Sequence, residues 1–439
     1  VVTDEFTYTI EDTQGVPSQA TVEITVTGVN DSPTAVDDQY TIDEDNELIV
    51  DPDGVLDNDN DVDGDAFGVI GADAVSALGA VVNVAADGSF TYDPTSVDVL
   101  QELDPGDEVF DTFSYTVADV HGDQSSATVT VRVTGENDDP VAVDDSYSTD
   151  EDHALDIAVP GVIQNDVEID ADDTLSINDF DTTSLLGATI AMNSNGSFRY
   201  DPTVAPALQS LPDGQVVVDE FEYEVTDLHG SVSSATVRIQ VTGVNDSPTA
   251  DDDLYTIDED HVLQIDPPGV LDNDDDIDGD PLEVQSANAT SLLGAIVNVN
   301  DDGSFTYDPT GTGVLQELPE GGRLFDSFGY TAVDIHGETS SATVVVEVTG
   351  VNDAPDAVDD QASVPRNGFA DIDVTSNDDD IDGTVIPNTV TVVTPPQHGT
   401  YQVLGGGIVR YTPDADYSGA DTFVYTVRDD RNDESNPAT

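Results

Sequence analysis

A short acidic phrase recurs along this chain at a spacing the size of a domain. Val29-Asn30-Asp31-Ser32-Pro33 returns as Glu136-Asn137-Asp138-Asp139-Pro140, Val244-Asn245-Asp246-Ser247-Pro248 and Val351-Asn352-Asp353-Ala354-Pro355. Successive copies lie 107 or 108 residues apart. A unit of roughly 100 residues can bury its own core. The period therefore divides the chain into a remnant at 1–28, complete repeats at 29–135, 136–243 and 244–350, and a fourth at 351–439.

Charge is the second constraint. There are 94 acidic residues against 8 basic ones, for a formal net charge of −86. Such a chain repels itself unless cations bind it or salt screens it. Phosphates would be repelled as well, which argues against a nucleic-acid partner. The acid is mostly Asp, which favours turns and metal loops over helices, and a composition rich in Asp without Lys fits salty water. Cysteine is absent, so no disulfide supports the fold. No apolar run approaches the roughly 20 residues of a membrane span. The chain opens without Met or a signal peptide, as expected of a part of something longer. Disorder is the alternative for so acidic a sequence. Against it stand a hydrophobic fraction of 37% and apolar residues that alternate as sheets require.

The first repeat reads as about seven short strands. They are expected at Val36–Ile42, Glu47–Asp51, Phe67–Ala72, Ala80–Val84 and Ser89–Tyr92, then in a long final hairpin. Asp87-Gly88 marks a turn between two of them. Thr95–Asp107 has room for a helical turn. In the last hairpin Phe113, Tyr115 and Val117 share one face, and Ala127, Val129, Val131 and Val133 alternate with polar residues. Short antiparallel strands at regular spacing predict a β-sandwich. Residues 1–28 supply only a final hairpin, with an apolar face of Phe6, Tyr8, Ile10, Val22, Ile24 and Val26. The fourth repeat is expected to stop after the strand carrying Phe423, Tyr425 and Val427.

The phrases VTGVNDSPTA, DEDN, LDNDNDVDGD, DGSFTYDP and DTFSYTVADVHG resemble the cadherin-like and VCBS-type repeats of large prokaryotic surface adhesins. The resemblance covers nearly the whole chain. It implies an elongated array of calcium-binding, Ig-like seven-stranded sandwiches in an extracellular, cell-surface stalk.

Alternating strands place the linker phrase, the loop after the second strand and the last turn at one end of a repeat. The acidic triplet after the first strand and the exit into the next linker lie at the other end. Each junction then gathers Glu44 and Asp45 from above, Asn137 and Asp138 from the linker, and Asp166, Glu168, Asp170 and Asp227 from below. The next gathers Glu151, Asp152, Asn245, Asp246, Asp274, Asp276, Asp278 and Asp334. The third gathers Glu259, Asp260, Asn352, Asp353, Asp378, Asp380 and Asp382. Asn30, Asp31, Asp59, Asp61, Asp63 and Asp119 form the half-junction above the first repeat. Calcium takes 6–8 hard oxygen ligands and suits such a set. Solvated turn residues are the bland alternative for any single Asp. Asp59, Asp61, Asp63, Gly64 and Asp65 match the opening of an EF-hand loop, but Ile70 stands at the twelfth position and no helices flank it. In the fourth repeat Pro365, Arg366 and Asn367 replace the triplet Asp43-Glu44-Asp45, so no calcium is expected below it.

His121, His229 and His336 recur at the last turn and read as turn residues rather than transition-metal ligands. Asn195 and Asn288 open glycosylation sequons. No nucleophile motif or phosphate loop stands apart from the repeats, so no enzyme is expected. The leading function is a calcium-rigidified stalk or filament segment acting as a spacer, with neighbouring repeats as partners. The alternatives are a carbohydrate- or protein-binding sandwich, and a head-to-tail filament in which residues 1–28 of one copy complete the fourth repeat of another.

Overall fold

The computed structural model describes residues 1–439. The chain is all-β and packs as two compact units. Val1–Thr149, His153–Ala205 and Val217–Val241 form one; Asp150–Asp152, Pro206–Val216 and Thr242–Thr439 form the other.

The first unit opens with strands β1 (Val2–Glu11) and β2 (Pro17–Val26), paired from Val2↔Val26 to Glu11↔Pro17. Phe6, Tyr8, Ile10, Ile24 and Val26 stay exposed. The first repeat then contributes β3 (Asp38–Asp43), β4 (Leu48–Val50), β5 (Phe67–Ala72), β6 (Val81–Val84), β7 (Phe90–Asp93), the helical turn α1 (Asp98–Gln101), β8 (Glu108–Asp119) and β9 (Gln124–Thr134). A four-stranded sheet in the order β3-β9-β8-β5 packs on a three-stranded sheet β4-β7-β6.

One pairing departs from the all-antiparallel expectation: β3 runs parallel to β9. Parity explains it. In an up-and-down series of seven strands the first and seventh point the same way, so they can pair only in parallel. The alternation of loops between the two ends is kept. The first strand also begins later than its composition suggests. Val36 donates its N–H to Asp59 Oδ1 at 2.8 Å, and Asp37 Oδ1 accepts from Thr128 N at 2.9 Å. Both residues are thus drawn into the loop end before the ladder starts.

Between the sheets the alternation read from sequence becomes burial. Val129, Val131 and Val133 are fully buried on β9, and Phe113, Tyr115 and Val117 on β8. Phe90 meets Tyr40 and Phe113 edge to face, at 5.0 and 5.5 Å, contacts worth about 0.5–1.5 kcal/mol each beyond their burial. Asp111 lies on the same face, fully buried. Its Oδ1 accepts from Leu78 N and Thr112 N, and its Oδ2 from Tyr92 Oη at 2.9 Å. The carboxylate thus ties β8 to β7 and to the loop before β6.

Two glycines matter for position. Gly54 (φ +41) crosses the β6–β7 turn so closely that a Cβ would lie 2.0 Å from Gly88 O. Gly135 ends β9 against the loop after α1, where a Cβ would lie 2.2 Å from Asp104 O. Gly243 and Gly350 are confined in the same way. The exit into each linker is therefore fixed by backbone contact.

The second and third repeats have the same two strand orders. The fourth domain, in the second unit, has a three-stranded sheet of Ala370–Asp373, Ile408–Pro413 and Gly399–Gly405 and a two-stranded sheet of Val385–Thr394 and Val424–Asp429. It does not stop after the strand carrying Tyr425. Residues 434–438 return beside it, bridging Arg428↔Glu434 and Tyr425↔Ala438. Pro437 has no N–H to donate, which keeps these contacts to isolated bridges. No helix is long and apolar enough to cross a membrane.

Candidate metal centre

The linker after each repeat is caught from both sides by main-chain hydrogen bonds to acidic side chains. From above, Glu44 Oε1 accepts from Glu136 N at 2.6 Å, Glu151 Oε1 from Val244 N at 2.7 Å, and Glu259 Oε1 from Val351 N at 2.8 Å. From below, Asp170 Oδ2 accepts from Asp138 N at 3.1 Å, Asp278 Oδ2 from Asp246 N at 2.8 Å, and Asp382 Oδ1 from Asp353 N at 3.1 Å. Each of these carboxylates spends one oxygen on holding the backbone.

The other oxygens define the site. Glu44, Glu151 and Glu259 are fully buried, and Oε2 of each has no hydrogen-bond partner. The same holds for Oδ2 of Asp138, Asp246 and Asp353 and Oδ1 of Asp170 and Asp278. Asp61, Asp276, Asp380 and Glu168 add one such oxygen each from the loop below. Glu168, standing where its counterparts are Asp, turns Oε1 back onto Ile169 N and Asp170 N. Its longer side chain thus supplies the same kind of free oxygen. At the second linker, ligand atoms of Glu151, Asp246 and Asp278 lie within 4.8 Å of one another.

Asn137 and Asn245 are oriented by their amides. Their NH₂ groups donate to Asp227 Oδ2 at 3.0 Å and Asp334 Oδ2 at 2.9 Å, leaving each Oδ1 buried and unpartnered. Asp119, Asp227 and Asp334 have a further role in the last turn. Asp119 Oδ1 accepts from His121 N, Gly122 N and Asp123 N, and Oδ2 from Asn30 Nδ2 at 2.8 Å. Donation by Asn30 holds the Asp119 carboxyl below its usual range.

Burial pushes Glu44, Glu151 and Glu259 up to about 7, against the pull of their backbone donors, and the neighbouring acids push the same way. Asp138, Asp246 and Asp353 are raised too, chiefly by burial, with the exposed Asp45, Asp152 and Asp260 adding their charge. At the half-junction above the first repeat, Asp63 Oδ2 accepts from Asp31 N at 2.7 Å and Asp61 Oδ2 is unpartnered.

Two features differ from the expected ligand set. Asp59, Asp166, Asp274 and Asp378 turn away from the linker. Their carboxylates accept from Val36, Val143, Asp251 and Val358 N and from the hydroxyls of Tyr115, Tyr223, Tyr330 and Tyr425. Spacing along a loop does not reveal which of three alternate Asp residues faces inward. Asp429, in contrast, was missed. It accepts from Asn352 Nδ2 at 2.7 Å and stands in the fourth domain where Asp119 stands in the first repeat. The run Phe423, Tyr425, Val427, Asp429 repeats the spacing of Phe113, Tyr115, Val117, Asp119 and could have identified it. At the far end of the fourth domain Arg366 pairs with Asp416 Oδ1 at 2.9 Å. The three histidines lie at the turn beside acids of the loop below the linker: His121 by Asp65, His229 by Asp173, His336 by Asp280.

Residues 30–135, 137–243 and 245–350 each match the bacterial cadherin-like domain, and residues 352–439 match the bacterial Ig domain. No curated protein matches the chain. Among solved structures, the protocadherin gamma B4 extracellular domain is 16% identical, over 99% of this chain and 71% of that one, with a TM-score of 0.49. Protocadherin gamma B7 domains EC3–6 are 15% identical, over 94% and 99%, with a TM-score of 0.48.

Proposed function

Because the chain belongs to the bacterial cadherin-like domain family over most of its length, we propose that it is a calcium-braced stalk segment of an extracellular adhesin. It acts as a structural spacer, not a catalyst. One observation carries this reading: Glu151, Asp246 and Asp278 bring three carboxylates together, each with a buried oxygen that no donor reaches. Ionised carboxylates without partners are costly to bury. A hard dication removes that cost, and the donors are all oxygens of the kind calcium prefers.

The residues fit the ion. Glu44, Asp138, Glu168 and Asp170 would hold it at the first linker, with Asn137 Oδ1. Glu151, Asn245, Asp246, Asp276 and Asp278 would hold it at the second, and Glu259, Asp353 and Asp380 at the third. When bound, calcium neutralises repulsion between consecutive repeats. It also adds a bridge of charge to a joint whose linker backbone is held by hydrogen bonds to Glu and Asp side chains.

Small-angle scattering tests the proposal. With calcium the chain should give a long, stiff profile; with chelator it should become shorter and more flexible. A sodium control at matched ionic strength separates ligation from screening. Identical profiles with calcium and chelator in low salt would refute bracing.

A further inference from the structure

The inward-turned carboxylates form a second constellation inside every domain. In the first repeat Tyr115 Oη lies 2.8 Å from Val55 O, 3.2 Å from Val36 O, and 3.1 and 3.2 Å from the two oxygens of Asp59. A phenol has one hydrogen to donate, and here several acceptors surround it. Asp38 closes the group from the start of β3. It is 7% exposed, its Oδ2 has no partner, and it faces Tyr115 and the charge of Asp59.

The arrangement recurs. Tyr223 meets Val143 O and Asp166, with Asp145 Oδ2 buried and unpartnered. Tyr330 meets Val270 O and Asp274, with Asp253 Oδ2 buried and unpartnered. Tyr425 meets Val358 O, Asp360 Oδ2 and Asp378. The fourth domain keeps it although Arg366 replaces the linker-binding Glu at its far end.

We propose that each domain holds a second calcium ion in this interior site, bound by the Asp38 and Asp59 carboxylates, the Val36 and Val55 carbonyls and the Tyr115 hydroxyl oxygen, and by their counterparts downstream. Two carboxylates match a dication in charge, and five hard oxygens leave room for water to complete the shell. Holding Asp38 ionised inside the fold, beside the charge of Asp59 and with one oxygen unpartnered, is costly. That is the cost a cation would remove. The ion would pin the start of the first strand to the loop after the second, inside one domain. It would not act across a linker.

The test counts calcium bound to the full chain by equilibrium dialysis. One variant carries Asp38→Asn, Asp145→Asn, Asp253→Asn and Asp360→Asn. The other carries Glu44→Gln, Glu151→Gln and Glu259→Gln. The Asn set should lose four ions and keep those at the linkers; the Gln set should lose linker ions and keep the four. The two results distinguish failure of this site from failure of the linker sites. Terbium gives a second readout that does not need the Asn set to fold. The chain has no Trp, so terbium emission under ultraviolet excitation is sensitised by tyrosine, a direct ligand here. The Gln set should retain sensitised emission, and calcium should compete it away. An unchanged ion count in a folded Asn set, or no sensitised emission from the Gln set, would overturn the proposal and leave a proton shared between the carboxyls.

Discussion

Asp111 and Glu44 are both fully buried acids of the first repeat, yet they are opposite in kind. Asp111 has donors on both oxygens: two backbone N–H groups and a tyrosine hydroxyl. Glu44 has a donor on Oε1 and none on Oε2. The first is complete within the fold; the second is complete only with something added. Asp219 and Asp326 repeat the first pattern, each with a tyrosine and a backbone donor. Glu151 and Glu259 repeat the second. Burial alone therefore does not mark a functional carboxylate in this chain. What separates the two sets is the oxygen that no donor reaches.

The largest expected effect is calcium removal. Extracellular modules bind calcium at about 10⁻⁴–10⁻³ M. A ligand at a hundredfold excess over its Kd stabilises by about 2.7 kcal/mol per site. Calorimetry with saturating calcium should thus show the cadherin-like repeats melting several degrees higher than with chelator. Equal melting temperatures would remove the distinction between the two kinds of acid.

The next test crosses the two residues. Asp111→Ala strands Tyr92 Oη and two backbone donors in the core, at about 1–3 kcal/mol for each unsatisfied group. Denaturant unfolding should show a loss of about 3 kcal/mol or more, the same with calcium or chelator. Glu44→Gln should be neutral or stabilising in chelator, because it removes a buried charge. In calcium it should forfeit much of the metal-dependent gain. A Glu44→Gln variant equally destabilised in both conditions would make Glu44 a structural acid like Asp111.

This contrast also shows what the sequence could and could not reveal. Glu44 and Asp138 were legible because they belong to phrases repeated at both ends of a domain, and alternating strands bring those ends together. Asp111 was legible in principle. It shares the period-two face of Phe113, Tyr115 and Val117, where a carboxylate must find donors. The role of Asp59 was not legible, since a D-x-D-x-D loop does not state which side chain turns toward a tyrosine 56 residues away. The parallel β3–β9 pairing follows from strand parity once the first and last strands are known to be neighbours, and local pattern does not supply that adjacency.

Acidity sharpens the comparison further. Glu44, Glu151 and Glu259 are raised to about 7 in the folded chain, above an ordinary value near 4.3. The native state therefore holds protons the unfolded chain releases. Their contribution to stability is full below about 4.3 and is lost as pH rises through about 7. In chelator, melting temperature should fall over that window. Calcium should flatten the fall, since it replaces the proton as the compensating charge. A chelated chain that becomes more stable from pH 5 to 8 would contradict the assignment.

The smallest effect belongs to a contact with neither kind of acid. Arg431, at the last turn of the fourth domain, pairs with Glu320 of the third repeat. His336 reaches toward Asp213 across the preceding linker in the same manner, at 3.9 Å. These struts lie at the surface, with the Arg431 and Glu320 side chains 44% and 56% exposed. Exposed pairs contribute about 0–1 kcal/mol and weaken with salt. Arg431→Ala should therefore change unfolding free energy by less than about 1 kcal/mol, by the same amount with calcium or chelator, and by almost nothing in high salt. A double-mutant cycle with Glu320→Ala measures the pair itself. A coupling that grows when calcium is added would place Arg431 within the metal-dependent joint. A coupling indifferent to calcium and erased by salt would leave the Arg431–Glu320 pair a surface strut outside the metal-dependent joint.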